Sequence, residues 1–305
     1  MNILLTGANG FIGKEFIKVF CQNRSDKDVL LAVSNEPMEL SDGIITINHN
    51  NHRLLKELIE GYNIDILIHL GGGVPTNSKN CFFADDLKYL DNISSTVDLL
   101  NVLDTKPGII IFASSVMVYN DTHDVISEIS DTKPSHPYGM SKLFIERMLS
   151  DWAKENNVLL QILRIGQVYG AGEESNLVIP TFIDKAIRNE LIQIYTKGTE
   201  KRSFIHVSDV AEMIWKAIFL KTSNIINVAG EKNISIKELA YLIAQIEGKE
   251  ELVSILNQNI NTRDFIYDCD LMHRLLAHEK MDFYKGLEEE YNFRKRKINM
   301  NDGSI

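Results

Sequence analysis

Short apolar runs alternate along most of this chain with segments whose apolar residues recur at helical spacing. The runs are almost continuous in Ile, Leu and Val, which is typical of parallel strands that are covered on both faces. This pattern predicts strands at residues 3–6, 29–33, 44–47, 64–70, 109–113, 159–164 and 225–228. It predicts helices at residues 11–20, 52–60, 87–103, 137–155, 178–188, 207–220 and 236–246.

The alternation of strands and helices predicts the fold class. Strand–helix–strand units favour an α/β fold with a doubly wound parallel sheet of the Rossmann type. In such sheets a ligand binds beyond the carboxyl ends of the strands. We therefore expect the functional residues to lie in the loops at that edge of the sheet.

A glycine-rich turn joins the first predicted strand to the first predicted helix. Gly7 follows the strand directly, Gly10 lies where the helix begins, and Gly13 lies in the first helical turn. Glycines at these positions permit a tight turn and a close approach of the backbone to phosphate oxygens. The helix N-terminus adds N–H groups and a partial positive charge. The spacing therefore predicts a binding site for the pyrophosphate of a dinucleotide.

The end of the second predicted strand leaves the choice of dinucleotide open. An acidic residue there would hydrogen-bond the ribose hydroxyls of NAD, whereas an arginine would pair with the 2′-phosphate of NADP. Ser34 occupies this position and is neutral. The expected cofactor is therefore NAD or NADP.

The regular alternation ends after about residue 165. A loop with three glycines follows, and beyond it helices and short strands occur in no steady order. We therefore assign residues 1–165 to a dinucleotide-binding domain, to which segments around 204–230 return. Residues 166–305 form mainly a smaller C-terminal substrate-binding domain. The last residues, from Arg294 onward, are expected to form a solvated polar tail.

Composition and charge disfavour several classes of partner. The 305-residue chain has a formal net charge of −10, which repels nucleic acid. Its three cysteines are widely spaced, as expected of thiols in a reducing compartment. We identify no signal peptide, no apolar run long enough for a membrane span and no metal-ligand spacing. A cytoplasmic protein without membrane, nucleic-acid or metal partners is expected.

Three side chains predict a site for proton transfer beside a nicotinamide. Tyr138 and Lys142 are four residues apart, so they share one face of a helix. Ser115 lies just past the predicted strand 109–113, where the sheet opens its crevice. The nearby ammonium is expected to lower the pKa of the phenol. Tyr138 could then exchange a proton with a substrate hydroxyl that Ser115 holds, while Lys142 contacts the nicotinamide ribose.

These motifs, taken together, resemble one known family. They are TGANGFIG at 6–13, HLGGG at 69–73, FASSVMVY at 112–119, PYGMSK at 137–142, LRIGQVYGAG at 163–172, KRSFIHVSDVA at 201–211 and NVAG at 227–230. On them the chain is similar to the extended short-chain dehydrogenase/reductases, specifically the NAD-dependent epimerase/dehydratase group that acts on nucleotide sugars. The resemblance covers nearly the whole chain up to about residue 290.

The resemblance implies a role for each matching residue. The family's catalytic residues match Ser115, Tyr138 and Lys142. Its cofactor-binding positions match Gly7, Gly10, Phe11, Ile12, Gly13, Ser34, Asn48, Leu70, Gly71, Tyr138 and Lys142. The implied substrate is a nucleoside-diphosphate sugar, and its contacts match Ser115, Gln167, Asn176, Leu177, Arg202 and Arg263. The two arginines would pair with the diphosphate. The resemblance also implies a homodimer that packs helices 87–103 and 137–155.

Some residues depart from the family pattern. The family's 4,6-dehydratases carry an Asp-Glu pair where this chain has Val116 and Met117, which cannot transfer protons, so dehydratase activity is disfavoured. Gln167 stands where many relatives have Asn. Ser34 and Asn48 stand where acidic residues are common.

Several functions remain open at this point. The sequence at 115–119 favours a nucleotide-sugar epimerase, which returns the hydride to the other face of the sugar C4 without net redox change. The neutral Ser34 favours the alternative, a 4-keto nucleotide-sugar reductase that consumes a reduced cofactor. A sensor or scaffold that binds NAD(P) without turnover is a third possibility. A dehydrogenase for substrates without a nucleotide is a fourth, and it would leave Arg202 and Arg263 dispensable.

Overall fold

The computed structural model describes residues 1–34, 43–48, 52–74, 88–103, 105–120, 125–173, 176–258, 260 and 262–302. The strands are β1 Asn2–Thr6, β2 Val29–Ser34, β3 Ile44–Asn48, β4 Ile66–His69, β5 Ile109–Ser115, β6 Leu159–Ile165, β7 Gln167–Tyr169, β8 Ile192–Ile194, β9 Lys201–His206, β10 Asn224–Val228, β11 Asn233–Ser235 and β12 Val253–Ile255. The α-helices are α1 Phe11–Asn23, α2 His52–Gly61, α3 Lys88–Val102, α4 Pro137–Asn156, α5 Val178–Ile187, α6 Val207–Ala217, α7 Ile236–Ile246, α8 Asp270–Leu276 and α9 Phe283–Asp302.

The largest sheet is parallel and has the strand order β10-β6-β5-β4-β1-β2-β3. Its strands correspond to the seven that the apolar runs predict. The order runs outward from β1 in both directions, so crossover helices cover both faces. The predicted α/β fold with a doubly wound parallel sheet is confirmed.

Successive residues of the central strands pack on opposite faces of this sheet. Ile3 and Leu5 belong to a core cluster with α1 and α6, while Leu4 belongs to a second cluster with α2, α3 and α4. Because both faces are buried, all of these positions must be apolar. Each such side chain contributes roughly 1.5–3 kcal/mol by leaving water. This double burial explains why the strands read as continuous apolar runs.

A third core cluster lies in the C-terminal part of the chain. Strands β11, β9 and β7 form a small mixed sheet, and β12 pairs with β8. Ile183 of α5, Leu239 of α7 and Leu287 of α9 are buried together in this cluster. Strand β10, although late in the sequence, pairs with β6 in the large sheet.

The expectation of a solvated polar tail from Arg294 onward is wrong for Arg294 itself, whereas residues 295–300 of the same helix are exposed or partly exposed. Arg294 lies in the middle of α9, which continues to Asp302, and the Arg294 side chain is only 5% exposed. Leu287 and Tyr291, one helical turn apart, are buried in the third cluster and hold this helix to the protein. The charged run that begins at Arg294 gives no indication of this apolar face, because Leu287 and Tyr291 precede it in the sequence. Within the described residues, no helix is both long and apolar enough to cross a membrane.

Candidate active site

The glycine turn between β1 and α1 leaves no room for side chains. Gly7 has a φ of +73°, and a Cβ there would lie 2.8 Å from the nitrogen of Gly71. A Cβ at Gly13 would lie 2.1 Å from the carbonyl oxygen of Gly7. Glycine at these two positions therefore lets the start of α1 approach the ends of β1 and β4 closely.

The start of α1 fits an anionic group. Gly10 is its N-cap and offers no side chain to the first N–H groups, and the first turn holds no acidic residue. Phe11 and Ile12 begin the helix and are partly exposed. Helix N-termini of this kind attract phosphate. The turn thus has the shape and charge that a dinucleotide pyrophosphate requires.

The other predicted cofactor residues lie along the same edge of the sheet. Ser34 ends β2 and is paired in register with Asn48, which ends β3 and whose side chain lies outside the described residues. Leu70 and Gly71 follow β4, and the N–H of Gly71 donates to the Thr6 hydroxyl, with 3.1 Å between the two atoms. All of these residues lie at the carboxyl ends of the strands, where the fold places ligands.

The structure brings Ser115, Tyr138 and Lys142 together. The Ser115 side chain lies close enough to the Tyr138 phenol to lower its pKa. The ammonium of Lys142 lies 5.8 Å from the centre of the Tyr138 ring and donates to the carbonyl oxygen of Ala113, with 2.9 Å between the two atoms. All three side chains are buried. Sequence spacing predicted this grouping from two separate elements, β5 and α4.

Local interactions fix the start of α4. Pro137 lies in the first turn, where its missing N–H costs nothing, and the Nδ1 of His136 accepts from the N–H of Tyr138. A Cβ at Gly139 would lie 2.1 Å from the carbonyl oxygen of Met117, so the helix packs directly on the backbone that follows β5. The Ser115 hydroxyl accepts from the N–H of Met117. The phenol and the serine therefore lie on two rigidly joined segments.

The pKa of the phenol does not follow the expected direction. Burial raises the pKa of Tyr138 to about 12, the nearby Ser115 side chain opposes this rise, and Tyr89 adds to it. Burial lowers the pKa of Lys142 to about 8, against the opposing charge of Glu146. Desolvation is the largest cause and raises the pKa of the phenol, opposite to the expected fall. A phenolate at neutral pH would need a further positive charge beside it.

The buried ammonium predicts a pH-dependent effect on stability. The pKa of Lys142 is lower in the folded than in the unfolded chain, so the cost of burying its charge is complete below pH 8 and disappears as pH rises to 10.5. Lys142→Met is therefore expected to raise the free energy of unfolding at pH 7 by roughly 1–3 kcal/mol. Urea unfolding at pH 7 to 10 measures this gain, which should shrink with rising pH.

The control for this prediction is Lys154→Met. Lys154 is exposed on the same helix, so its removal should not change stability in a pH-dependent way. A Lys142→Met variant that is less stable than the wild type at pH 7 would contradict the account of a costly buried charge.

Sequence reasoning missed a buried ion pair behind the site. Glu146 lies one turn beyond Lys142 on α4 and is 2% exposed. Its carboxylate accepts from Arg164 of β6 through Nε at 3.1 Å and Nη2 at 2.8 Å, and from the Ser114 hydroxyl. The spacing Tyr138, Lys142, Glu146 repeats every four residues, which could have revealed that all three share one face.

Two residues of α3 were also missed. The side chain of Asn92 accepts from the N–H of Gly73 at 2.6 Å and donates to its carbonyl oxygen at 3.1 Å, which fixes the loop after β4. The Tyr89 ring is buried against Tyr138, with 5.6 Å between ring centres. Tyr89 follows a stretch outside the described residues, and its approach to Tyr138 depends on tertiary packing that no local pattern indicates.

His69, at the end of β4, supports the same loop. Thr96 donates to the carbonyl oxygen of Asn92, so its hydroxyl accepts from Nε2 of His69 at 2.9 Å. Nδ1 of His69 then accepts from the hydroxyl of Thr6 at 2.7 Å. Burial, together with the nearby ammonium, lowers the pKa of His69 to about 3. This histidine is therefore neutral and structural. The described residues contain no group of His, Cys, Asp or Glu suited to hold a metal ion.

The two predicted diphosphate-binding arginines lie together. Each guanidinium lies 4.4 Å from the centre of the Phe265 ring, and Nη1 of Arg202 donates to the carbonyl oxygen of Arg263 at 2.7 Å. Stacking on an aromatic ring orients a guanidinium. Two adjacent positive charges also repel each other, which a bound diphosphate would relieve.

The remaining predicted substrate residues are exposed. Gln167 begins β7. Asn176 and Leu177 precede α5, and Leu177 is its N-cap without a side-chain hydrogen bond to the helix. These three side chains are therefore accessible to a ligand from solvent.

The fold and this group of residues define a class. They describe a Rossmann-type protein with a Ser–Tyr–Lys group beside a glycine turn at the carboxyl edge of its sheet. The family model described as the NAD dependent epimerase/dehydratase family matches residues 3–229. This chain belongs to that family.

Comparisons with individual proteins agree with this assignment. The chain is 30% identical over 253 residues to the dTDP-4-dehydro-6-deoxyglucose reductase of Escherichia coli, which covers 78% of this chain and 79% of the relative. It is 26% identical over 287 residues to the UDP-glucose 4-epimerase of Mycoplasma genitalium, with 78% and 80% covered. Both reaction types that the sequence left open therefore occur among its relatives.

A solved structure shows the same fold. The UDP-glucuronic acid 4-epimerase from Bacillus cereus, in complex with UDP-glucuronic acid and NAD, superimposes with a TM-score of 0.85 at 23% identity, and 97% of this chain and 99% of that chain are covered. The architecture therefore extends through the C-terminal region beyond residue 229.

Proposed function

We propose that this protein is an NAD-dependent nucleotide-sugar 4-epimerase. The observation that carries the proposal is the buried group of Ser115, Tyr138 and Lys142, which lies at the sheet edge that also holds the glycine turn. Residues 1–165 with strand β10 would hold the cofactor, and most of residues 166–305 would hold the sugar nucleotide. NAD and UDP-sugars occur with epimerase relatives of the same fold, which supports this choice.

The cofactor would lie along the carboxyl edge of the large sheet. Its pyrophosphate would rest on the N-terminus of α1, at Gly10, Phe11 and Ile12, and its adenosine would lie near Ser34 and Asn48. Lys142 would hydrogen-bond the nicotinamide ribose. Bound NAD would supply a reversible hydride acceptor for the sugar C4. Ser34 is neutral, so this position excludes neither NAD nor NADP.

The protein's own residues would move the proton. The Tyr138 oxygen would accept the proton of the sugar C4 hydroxyl as the hydride leaves C4, and return it when the hydride comes back to the opposite face. Ser115 would hold the same sugar oxygen. The positive charge of the oxidised nicotinamide would lower the pKa of the phenol from its value of about 12 in the unliganded crevice.

The diphosphate would be bound by the arginine pair. Arg202 and Arg263 both stack on Phe265, and guanidinium groups bind phosphate oxygens strongly. The resemblance adds Gln167, Asn176 and Leu177 as substrate contacts. A substrate without a diphosphate would make both arginines dispensable. Changing both to alanine should therefore impair a nucleotide-sugar epimerase but leave the rate of a dehydrogenase of other alcohols unchanged.

A 4-keto reductase is the second candidate. The 30% identity to a dTDP-sugar reductase and the neutral Ser34 favour it. The two functions differ in their need for added cofactor. An epimerase should purify with NAD and interconvert UDP-glucose and UDP-galactose without any addition, as seen by proton NMR. A reductase should instead oxidise added NADH or NADPH in proportion to the 4-keto sugar consumed, which would contradict the epimerase proposal.

A homodimer through α3 and α4 is part of the proposal. Large apolar side chains are exposed on these two helices, namely Leu90, Val97, Met140 and Phe144. Exposed apolar surface on adjacent helices is typical of a subunit interface. The protein would work in the cytoplasm, since its widely spaced cysteines suit a reducing compartment.

Phe144→Asp tests this interface. A charge at the centre of the α3–α4 face should convert the dimer into a monomer, because the carboxylate would lose its water on association. Size-exclusion chromatography with light scattering gives the mass directly. Phe219→Asp is the matched control, since Phe219 is similarly exposed but lies after α6. A dimer that persists in Phe144→Asp would place the interface elsewhere.

A further inference from the structure

Helix α9 presents one row of residues to the chain segment that leads toward Asn176 and Leu177. Phe283, Gly286, Glu290 and Arg294 recur every three or four positions, so they share one face of the helix. The helix lies beyond residues 3–229, which carry the family match. Its contacts with residues 169–173 run in parallel order. Phe283, at its start, contacts Tyr169, and Arg294, further along, contacts Glu173.

The first half of this row holds Tyr169 and Gly170. The phenol of Tyr169 donates to the carbonyl oxygen of Phe283 at 3.3 Å, and the two rings lie 5.3 Å apart. A Cβ at Gly286 would lie 2.6 Å from the Tyr169 oxygen, so only glycine permits this approach. Burial raises the pKa of Glu290 to about 7, and the nearby backbone of Gly170 opposes this rise.

Arg294 completes the row with contacts on both sides of the substrate segment. Its Nη2 donates to the carbonyl oxygen of Glu173 at 2.7 Å, and its Nη1 donates to both carboxylate oxygens of Asp184 at 3.0 Å. Its Nε donates to Glu290 at 3.0 Å. Glu173 lies shortly before Asn176, and Asp184 lies on α5, which begins after Leu177. One buried guanidinium thus joins the two ends of this segment.

Such an arrangement is suited to hold α5 against α9. Charge-assisted hydrogen bonds to a planar guanidinium are strong and directional, and burial shields them from water. Asn176 and Leu177 are exposed and lie in the sequence between Glu173 and Asp184, the two residues that Arg294 contacts. Leu177 caps α5 without a side-chain hydrogen bond, and the contact between Arg294 and Asp184 holds this helix to α9.

We propose that Arg294 is a positioning residue for the substrate: it holds Glu173 and Asp184 so that Asn176, Leu177 and the start of α5 are preordered to receive the nucleotide-sugar diphosphate. This inference rests on the proposed function of the site. It assigns a substrate-positioning role to a helix that lies beyond the family match at residues 3–229.

The test is Arg294→Gln, measured with UDP and with UDP-glucose. Isothermal titration should show at least a tenfold weaker binding of UDP, and the KM for UDP-glucose should rise by a similar factor. The kcat at saturation should change less than threefold, and the amount of NAD retained on purification should be unchanged. Arg296→Gln is the matched control, because Arg296 is exposed on the same helix. It should behave as the wild type.

Two further measurements separate positioning from general stability. Hydrogen exchange should become faster in residues 166–187 of Arg294→Gln but stay unchanged in α4. Asp184→Asn keeps the shape of the site and removes one charge, so it should weaken UDP binding in the same direction if Arg294→Gln does not fold. Arg294→Lys, which can reach only some of the acceptors, should give an intermediate affinity.

The outcomes are distinguishable. Wild-type protein that binds neither UDP nor UDP-glucose would overturn the proposed function and this inference with it. Wild-type binding together with unchanged affinity in both Arg294→Gln and Asp184→Asn would overturn the inference alone. An equal loss of kcat, NAD retention and thermal stability would also overturn it, since that pattern indicates a purely structural role.

Discussion

Tyr138→Phe is expected to lower kcat by about 10²–10⁴-fold while NAD is still retained. The change removes one oxygen atom, the one that would exchange a proton with the sugar C4 hydroxyl. The ring would keep its buried position against Tyr89, so the fold and the cofactor turn should be unaffected. The measurement is turnover of UDP-glucose by proton NMR, alongside mass spectrometry of the bound nucleotide.

Tyr241→Phe provides the matched control. It removes the same atom from a tyrosine that is 39% exposed on α7, so turnover should not change. If Tyr138→Phe kept nearly full activity, the phenol would not be the acid and base. If it lost NAD together with activity, the effect would reflect damage to the cofactor site.

Glu146→Gln is expected to lower the free energy of unfolding by about 3–5 kcal/mol. The carboxylate is the buried partner of Arg164, which is 3% exposed, and its loss leaves a buried guanidinium without a compensating charge. The pKa of Lys142 should also fall below its value of about 8, since the charge of Glu146 raises it. Urea unfolding measures the first effect, and the pH profile of kcat measures the second, as an earlier loss on the alkaline side.

Glu15→Gln is the control for this pair. Glu15 pairs with Lys18 on the surface, where the lysine side chain is 66% exposed, so the cost should stay below about 1 kcal/mol. The double variant Glu146→Met with Arg164→Met should recover part of the lost stability, because it removes both buried charges. Equal effects of Glu146→Gln and Glu15→Gln would contradict the assignment of a buried ion pair.

The sheet and the helices around it could be predicted because strands that are buried on both faces appear in the sequence as continuous apolar runs. Strand β5, for example, buries all seven of its residues, and its apolar run is unbroken up to Ala113. The catalytic grouping was predictable for a related reason. The spacing of Tyr138 and Lys142 defines a helix face, and Ser115 ends a strand at the edge where ligands bind.

Other features depend on contacts between distant parts of the chain. Arg294 reads as one member of a basic cluster, and only the packing of α9 brings it to Glu173 and Asp184. The raised pKa of Tyr138 depends on how deeply α4 is buried, which the spacing of charges cannot show. In both cases the local sequence identifies the residue, but it does not show how deeply that residue is buried or which distant residues it contacts.

The most direct measurement follows a deuterium label at C4 of UDP-glucose. Purified protein without added cofactor should convert this substrate to UDP-galactose that still carries the deuterium at C4, because the hydride leaves and returns within one crevice. Tyr138→Phe should leave the substrate almost unconverted. Product in which the label has been lost to water, or conversion that proceeds equally well in Tyr138→Phe, would contradict the account.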